Sequence, residues 1–382
     1  MLALAGTLGV GNISGVAIGI AIGGAGSVFW LVVSAIFSSA IKYSEVYLSY
    51  RSGGVGMIGV IRHAFGNIGG VLAAAYASLA VILSFSMGSV FQARAVAESS
   101  FGTADRRATV FALLLTLGAF FICVLGKERI KRAVALLIPF AALIYTGTCL
   151  FIILGNIDKL GRVIGDVASS AFSFKSASGG ILGFTVSSGM KEGFARGLLS
   201  NEAGAGTSSF SHTSHVEKTR SQALDISECE RAGVFGILEV VFDTLILCPI
   251  TALTILLGYE GASFGGSLSE LSYIFKAHAG SLAPSLLLLS IILFATSTTL
   301  CWYYYGRVAL FFLFRKRGVV LYTSLYFILF FIALLYEIPH ALFITDTALF
   351  FLSVISLSAL IKNRAHLGYK DALQKYSVNR EL

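Results

Sequence analysis

The stretch Leu2-Ala-Leu-Ala-Gly-Thr-Leu-Gly-Val-Gly-Asn-Ile-Ser-Gly-Val-Ala-Ile-Gly-Ile-Ala21 is apolar enough to enter a bilayer. Its middle, Gly9-Val10-Gly11-Asn12, is ill suited to simply crossing one. Gly is a poor helix former that exposes its backbone. Asn sets an amide in hydrocarbon, where every polar group needs a partner. A span that breaks and offers bare carbonyls and N–H groups to a ligand has a use for both residues. The segment therefore reads as a discontinuous transmembrane helix, the hallmark of a secondary transporter.

The remainder of the chain fits that reading. Of 382 residues, 56% are hydrophobic and 13% are charged, about half the charged share of a soluble protein. A hydrocarbon core of ~30 Å asks for ~20 apolar residues per helix. Ten segments meet that length, near 2–21, 27–50, 70–97, 107–125, 132–155, 180–211, 233–257, 284–305, 319–336 and 344–361. A soluble globular domain is excluded, and no loop between these spans is long enough to hold one.

The net charge of +8 reflects topology and attraction to anionic lipid. If the chain starts on the cytoplasmic side, inner loops and the tail 362–382 carry eighteen Lys and Arg residues, against six on outer loops. Examples are Lys127 to Arg132 after the fourth span and Arg315 to Arg317 after the eighth. This bias matches the positive-inside rule and predicts a multi-pass protein of the cell (inner) membrane with both ends cytoplasmic. It gives no reason to invoke nucleic acid. The five cysteines are scattered, with neither metal-ligand nor disulfide spacing, and Met1 precedes no signal-peptide pattern.

Ten spans divide into five plus five about the loop Asn156–Gly179, giving repeats over 1–155 and 180–361. An odd number of spans per half forces opposite topologies, the arithmetic of an inverted repeat. The first span of each half should then be broken. The second half opens with a long, polar span holding Gly193, Arg196, Gly197 and Asn201-Glu202-Ala203-Gly204. Close helix packing is the alternative account of such glycines, and fits Gly19, Gly23, Gly69 and Gly70.

At the first break, carbonyls near Ala5, Thr7 and Leu8 suit a cation, and N–H groups from Gly11 to Ser14 suit a carboxylate. Burying a carboxylate costs several kcal/mol. A helix terminus returns at most ~2 kcal/mol and each charge-assisted hydrogen bond roughly 1.5–3. The balance is close, so a co-bound cation would tip it, which is a physical reason for coupling. The eighth span carries Thr296-Ser297-Thr298-Thr299. These hydroxyls either ligate a cation or bond back to the preceding turn. Asp243 is at mid-membrane depth with Glu239 one turn away, and Arg94 is its candidate ion-pair partner. Asp346 opens the tenth span. Lys42 and Glu45 read as a local i,i+3 pair, and the six histidines as solvated residues of loops and span ends.

The run Ala5-Gly-Thr-Leu-Gly-Val-Gly-Asn-Ile-Ser-Gly-Val-Ala17 resembles the signature of the alanine or glycine:cation symporter family, the bacterial sodium:alanine symporters. The resemblance continues through Gly23–Gly26 with Phe29-Trp30, Lys42-Tyr43-Ser44-Glu45, Arg196-Gly197 with Ser200-Asn201-Glu202-Ala203-Gly204, Asp243-Thr244 with Cys248, and Trp302 to Gly306. The first two spans also look like those of neurotransmitter:sodium symporters. The resemblance implies an all-α membrane fold of about ten helices in a five-plus-five inverted repeat, with broken first and sixth helices. It implies substrate contacts at Gly9, Val10, Gly11, Asn12, Gly193 and Gly197. It also implies a sodium site from the Ala5 and Leu8 carbonyls with the Ser297 and Thr298 hydroxyls, and coupling or structural charges at Asp243, Arg94 and Glu202. Val10 replaces the family's usual Thr, Arg94 an Asn and Pro249 a Thr. The family's extra N-terminal helix is missing, so the chain reads as N-terminally truncated.

The expected function is uptake of a small neutral amino acid, alanine or glycine, with sodium as coupling ion and no other cofactor. The alternatives are a proton-coupled symporter and an uncoupled or inactive facilitator on the same scaffold. An enzyme is not expected, because H-E-x-x-H, G-x-S-x-G and a Ser–His pairing are all missing.

Overall fold

The computed structural model describes residues 1–53, 55–100, 106–172, 188–213, 226–259 and 264–364. Among these, all regular structure is helical. Seven helical segments are long and apolar enough to span a bilayer, and Gly11–Gly23 and Val319–Leu335 are shorter apolar helices. With the polar helix Ser188–Asn201, they match the ten expected spans one for one.

The first span is α1 (Leu2–Thr7) and α2 (Gly11–Gly23), separated by Leu8, Gly9 and Val10. Then come α3 (Gly26–Arg51), the short α4 (Met57–Ala64), α5 (Gly66–Ser100), α6 (Arg106–Val124) and α7 (Lys127–Gly155). The sixth span is α9 (Ser188–Asn201) and α10 (Ser209–His212). It is followed by α11 (Ile226–Gly258), α13 (Ala283–Phe314), α14 (Val319–Leu335) and α15 (Ala341–Lys362). Residues 180–187 of the expected sixth span, and 365–382 of the tail, lie outside the described residues.

Two helices stand where loops were expected. The segment Asn156–Gly179 contains α8 (Ile157–Ala171), whose apolar positions recur at helical spacing between polar ones, the pattern of a helix lying along an interface. Between the seventh and eighth spans lies α12 (Leu268–Ala279). The Ser267 hydroxyl accepts from the Glu270 N–H at 3.2 Å, and the Glu270 carboxylate accepts from the Ser267 N–H at 3.1 Å. That reciprocal box satisfies two amide groups that a helix start otherwise leaves bare. The Leu268 N–H donates to Glu98 at 2.9 Å, tying α12 to the end of α5. Neither helix is long or apolar enough to be read from hydropathy.

Burial separates the inner spans from the outer ones. In its most apolar window α13 is 67% buried and α11 56%, whereas α6 is 28% and α7 33%. The outer helices show Leu114, Phe121, Leu136, Leu143 and Leu154 to the surroundings. In water so large an apolar face would aggregate; against lipid it is the required surface. The two broken spans, α3, α11 and α13 pack at the centre.

Candidate transport site

Asp243 is the point where the two breaks meet. It sits in Val241–Leu247, a π-helical turn of α11, a local widening common at functional sites. Its carboxylate is fully buried. Asn12 Nδ2 donates to Oδ1 at 2.5 Å and to the Asp243 carbonyl at 3.3 Å. Ser200 Oγ and Thr244 Oγ1 donate to Oδ2 at 2.8 and 2.7 Å. Asn12 Oδ1 in turn accepts from the Gly9 N–H at 3.1 Å. One carboxylate thus ties the first break, through Asn12, to the end of α9, through Ser200. Cys248 Sγ closes the cluster, 3.7 Å from Asn12 Nδ2 and 3.5 Å from Ser200 Oγ.

This arrangement corrects one expectation and extends another. Among the described residues Arg94 pairs with no carboxylate, and Asp243 has no ion-pair partner. A buried carboxylate needs hydrogen-bond donors, and three side chains supply them without an arginine. The Asn12 side chain, expected only as a substrate contact, also holds the break to α11.

The open groups at the first break are backbone groups. Among the described residues, no donor reaches the Ala5 or Leu8 carbonyl oxygen, and the Val10 and Gly11 N–H groups find no acceptor. Gly11 is the one residue from Ala5 to Ala17 that is not buried, and a Cβ there would meet no atom within 4 Å. The break therefore offers acceptors at one end, donors at the other, and open space at Gly11. Val10, by contrast, is fully buried.

The Thr298 hydroxyl is buried and without a partner. It faces Gly9, where a Cβ would lie 2.7 Å from Oγ1. Glycine at position 9 is what lets the eighth span approach the break. Ser297 Oγ donates to the Phe294 carbonyl at 2.9 Å, the back-bonded state, yet its lone pairs stay available to a cation. The oxygens of Ala5, Leu8, Thr298 and Ser297 are hard donors of the kind an alkali cation takes.

The second break is held by charges. Lys42 and Glu45 are both buried, but they do not pair with one another as the spacing suggested. Lys42 Nζ donates to the Asn201 carbonyl at 2.7 Å, and Glu45 Oε1 accepts from the Gly204 N–H at 2.7 Å. A cation thus satisfies a carbonyl at the end of α9, and an anion satisfies an amide beyond it, opposite signs on opposite backbone groups. Tyr76 OH donates to the Ala205 carbonyl at 2.7 Å. Glu202 adopts φ of 56°, a left-handed conformation costing about 1–2 kcal/mol outside glycine. It is held there by donations from Thr207 Oγ1 at 2.5 Å and Trp302 Nε1 at 3.1 Å.

Gly193 and Gly197 lie against α3. With Gly189 they form a stripe at i, i+4 and i+8 that lets α9 lie directly on α3. A Cβ at Gly193 would collide with the Ser27 carbonyl, and one at Gly197 with the Ser34 hydroxyl. Close packing of small residues, the alternative at sequence level, is the correct account here. Gly70 shows the reverse, with nothing within 4 Å of its Cβ.

Outside the centre, Asp346 is exposed and takes no part. His212 is not solvated: its Nε2 lies 2.5 Å from Glu239 Oε1, with both side chains largely buried beside α1. His278 bonds with the Asn156 amide at 3.2 Å and the Gly258 carbonyl at 3.0 Å. His215 and His366 fall outside the described residues. The missed residues Lys42 and Glu45 were visible as ionisable groups within a span. Their partners were not, because those are backbone groups about 160 positions away.

Comparison with known proteins agrees with this picture. A family model described as the sodium:alanine symporter family matches residues 1–380. An uncharacterized transporter of Haemophilus influenzae is 30% identical, over 99% of this chain and 83% of its own. The sodium/alanine symporter AgcS of Methanococcus maripaludis is 31% identical, over 91% of this chain and 77% of its own. The probable sodium/glutamine symporter GlnT of Bacillus subtilis is 31% identical, over 84% of this chain and 65% of its own. Among solved structures, a mutant of the Eremococcus coleocola manganese transporter superposes with a TM-score of 0.57 at 12% identity, over 99% of this chain and 89% of that one. That likeness concerns the fold alone. With a model match over nearly its whole length and two interrupted spans meeting at Asp243, the chain belongs to the sodium:alanine symporter family, a family of transporters and not of enzymes.

Proposed function

We propose that this protein is an amino acid:cation symporter that carries alanine or glycine into the cell with sodium, by alternating access. The observation that carries this reading is the first break. The Ala5 and Leu8 carbonyls are unpaired, the unpartnered Thr298 hydroxyl faces the same break at Gly9, and the Val10 and Gly11 amides are unpaired beside the open space at Gly11. The first group is a cation site and the second a carboxylate site, one turn apart, so each bound charge stabilises the other. Space bounded by Gly11 and buried apolar side chains favours a small neutral amino acid. The halves 1–155 and 180–361 act as inverted repeats that rock about this centre. The protein sits in the inner membrane with both ends cytoplasmic, the orientation the loop charges favour.

The test is uptake of labelled alanine, glycine and glutamine by proteoliposomes under an inward sodium gradient, and with sodium replaced by potassium. Concentrative uptake that collapses without sodium is expected. Uptake that only equilibrates would establish a facilitator instead. A proton-coupled symporter is the second reading, favoured by the His212–Glu239 pair beside α1. Accumulation driven by a pH gradient without sodium would select it.

A further inference from the structure

One cavity lies away from the transport site. It has a volume of about 650 Å³ and lies where α4, the turn before α7 and the far end of α13 meet. Four cationic side chains line it: Arg62, Lys127, Arg307 and Arg315. Among the described residues, no Asp or Glu lines it. The nearby Glu128 is engaged by Lys131 at 3.4 Å. The remaining wall is apolar, from Val55, Ile130 and Phe311. A second cavity of about 450 Å³ shares Val55, Arg62 and Phe312 with the first.

This combination is unusual for a transporter's solvent face. Basic side chains alone describe any cytoplasmic loop. Here they come from three separate elements and converge on a concave space of ligand size. One side of that space borders an exposed apolar surface: Phe311, which lines it, Phe314 on the same helix, and Val124 and Leu125 at the end of α6 are all more than half exposed. A ligand that fits must carry negative charge at one end and hydrocarbon at the other.

We propose that this cavity binds the phosphate-bearing headgroup of an anionic phospholipid, with its acyl chains leaving across Phe311. Arginines supply planar pairs of donors to phosphate oxygens, and basic pockets between spans are established receptors for such headgroups. Placement in the inner leaflet rests on the orientation proposed above, but the cavity and its charge do not. Because Arg307 is on the same helix as Thr298, a bound headgroup cross-links α4 and α7 to the helix that faces the first break.

The test is titration of detergent-purified protein with dihexanoyl phosphatidylglycerol, a probe that needs no bilayer and is blind to orientation. Saturable binding is expected, with dihexanoyl phosphatidylcholine at least tenfold weaker. Neutralising two arginines, Arg62→Gln with Arg315→Gln, is expected to weaken binding roughly 30-fold, about fivefold per basic residue. The exposed Arg106→Gln variant, remote from the cavity, serves as the charge control and is expected to bind normally. Should the double variant elute as aggregate, the single Arg315→Gln variant carries the test with a roughly fivefold loss. Equal affinity in wild type and the arginine variants would overturn the site. Competition by glycerol phosphate as strong as that by the lipid would overturn the lipid as its occupant and assign it to soluble phosphate compounds.

Discussion

Removing the Asn12 amide should uncouple the two breaks. The Asn12→Ala change deletes the 2.5 Å donation to Asp243 Oδ1 and leaves the buried Gly9 N–H without its acceptor. A hydrogen bond to a charged group contributes ~1.5–3 kcal/mol, and an orphaned buried donor costs ~1–3. The expected destabilisation is about 3–5 kcal/mol, a large fraction of a typical stability of roughly 5–15. Asp243→Asn alone should also be costly, since Ser200 and Thr244 both donate to Oδ2. The informative quantity is the double-mutant cycle between the two positions. If the Asn12–Asp243 bond is what joins the breaks, the coupling energy is about 2 kcal/mol. Arg94→Gln, by contrast, should be neutral and should not rescue Asp243→Asn. The assay is reversible unfolding in mixed micelles followed by circular dichroism, with sodium-dependent alanine uptake measured in parallel. Additivity within ~0.5 kcal/mol, or rescue by Arg94→Gln, would refute the reasoning.

Thr298→Val should raise the sodium concentration for half-maximal uptake several-fold more than Ser297→Ala does, because only the Ser297 hydroxyl is already engaged in its own helix; sodium activation curves at saturating alanine decide this. Lys42→Met should lower stability by about 1–3 kcal/mol, since it leaves the Asn201 carbonyl without its charged donor, and thermal unfolding of the purified variant checks it. Gly197→Val should abolish accumulation of folded protein by driving α9 off α3, whereas Gly11→Ala, with no atom within 4 Å of the added methyl, should fold normally and lose uptake. Size-exclusion profiles and transport of the two glycine variants read this contrast.

Part of this protein was legible in its residues taken in order. Spans are set by the thickness of the hydrocarbon core and by runs of apolar side chains. Both are local properties, so the seven long apolar spans follow from hydropathy and length alone. The first break was legible too. Gly9, Gly11 and Asn12 in an apolar run fail as helix and fail as hydrocarbon, and the chain breaks there. The same argument located the second break at Asn201 to Gly204. The amphipathic α8 and the capped α12 escaped because neither carries a hydrophobic run of spanning length.

Only the tertiary structure decided what each polar residue does. Within one sequence Gly11 and Gly197 carry the same signal, no side chain. One faces open space and the other the Ser34 hydroxyl, a difference that lies entirely in the neighbour. Lys42 and Glu45 at i,i+3 satisfy the geometry of a local pair. Their charges instead go to a carbonyl and an amide about 160 residues away, because unwinding the sixth span creates two backbone groups that nothing nearer can satisfy. Asp243 needed donors, and composition offered an arginine. Folding supplied an amide and two hydroxyls at closer range. A buried polar group takes the partner that packing brings to hydrogen-bond distance, and that distance is a property of the fold rather than of the order of residues.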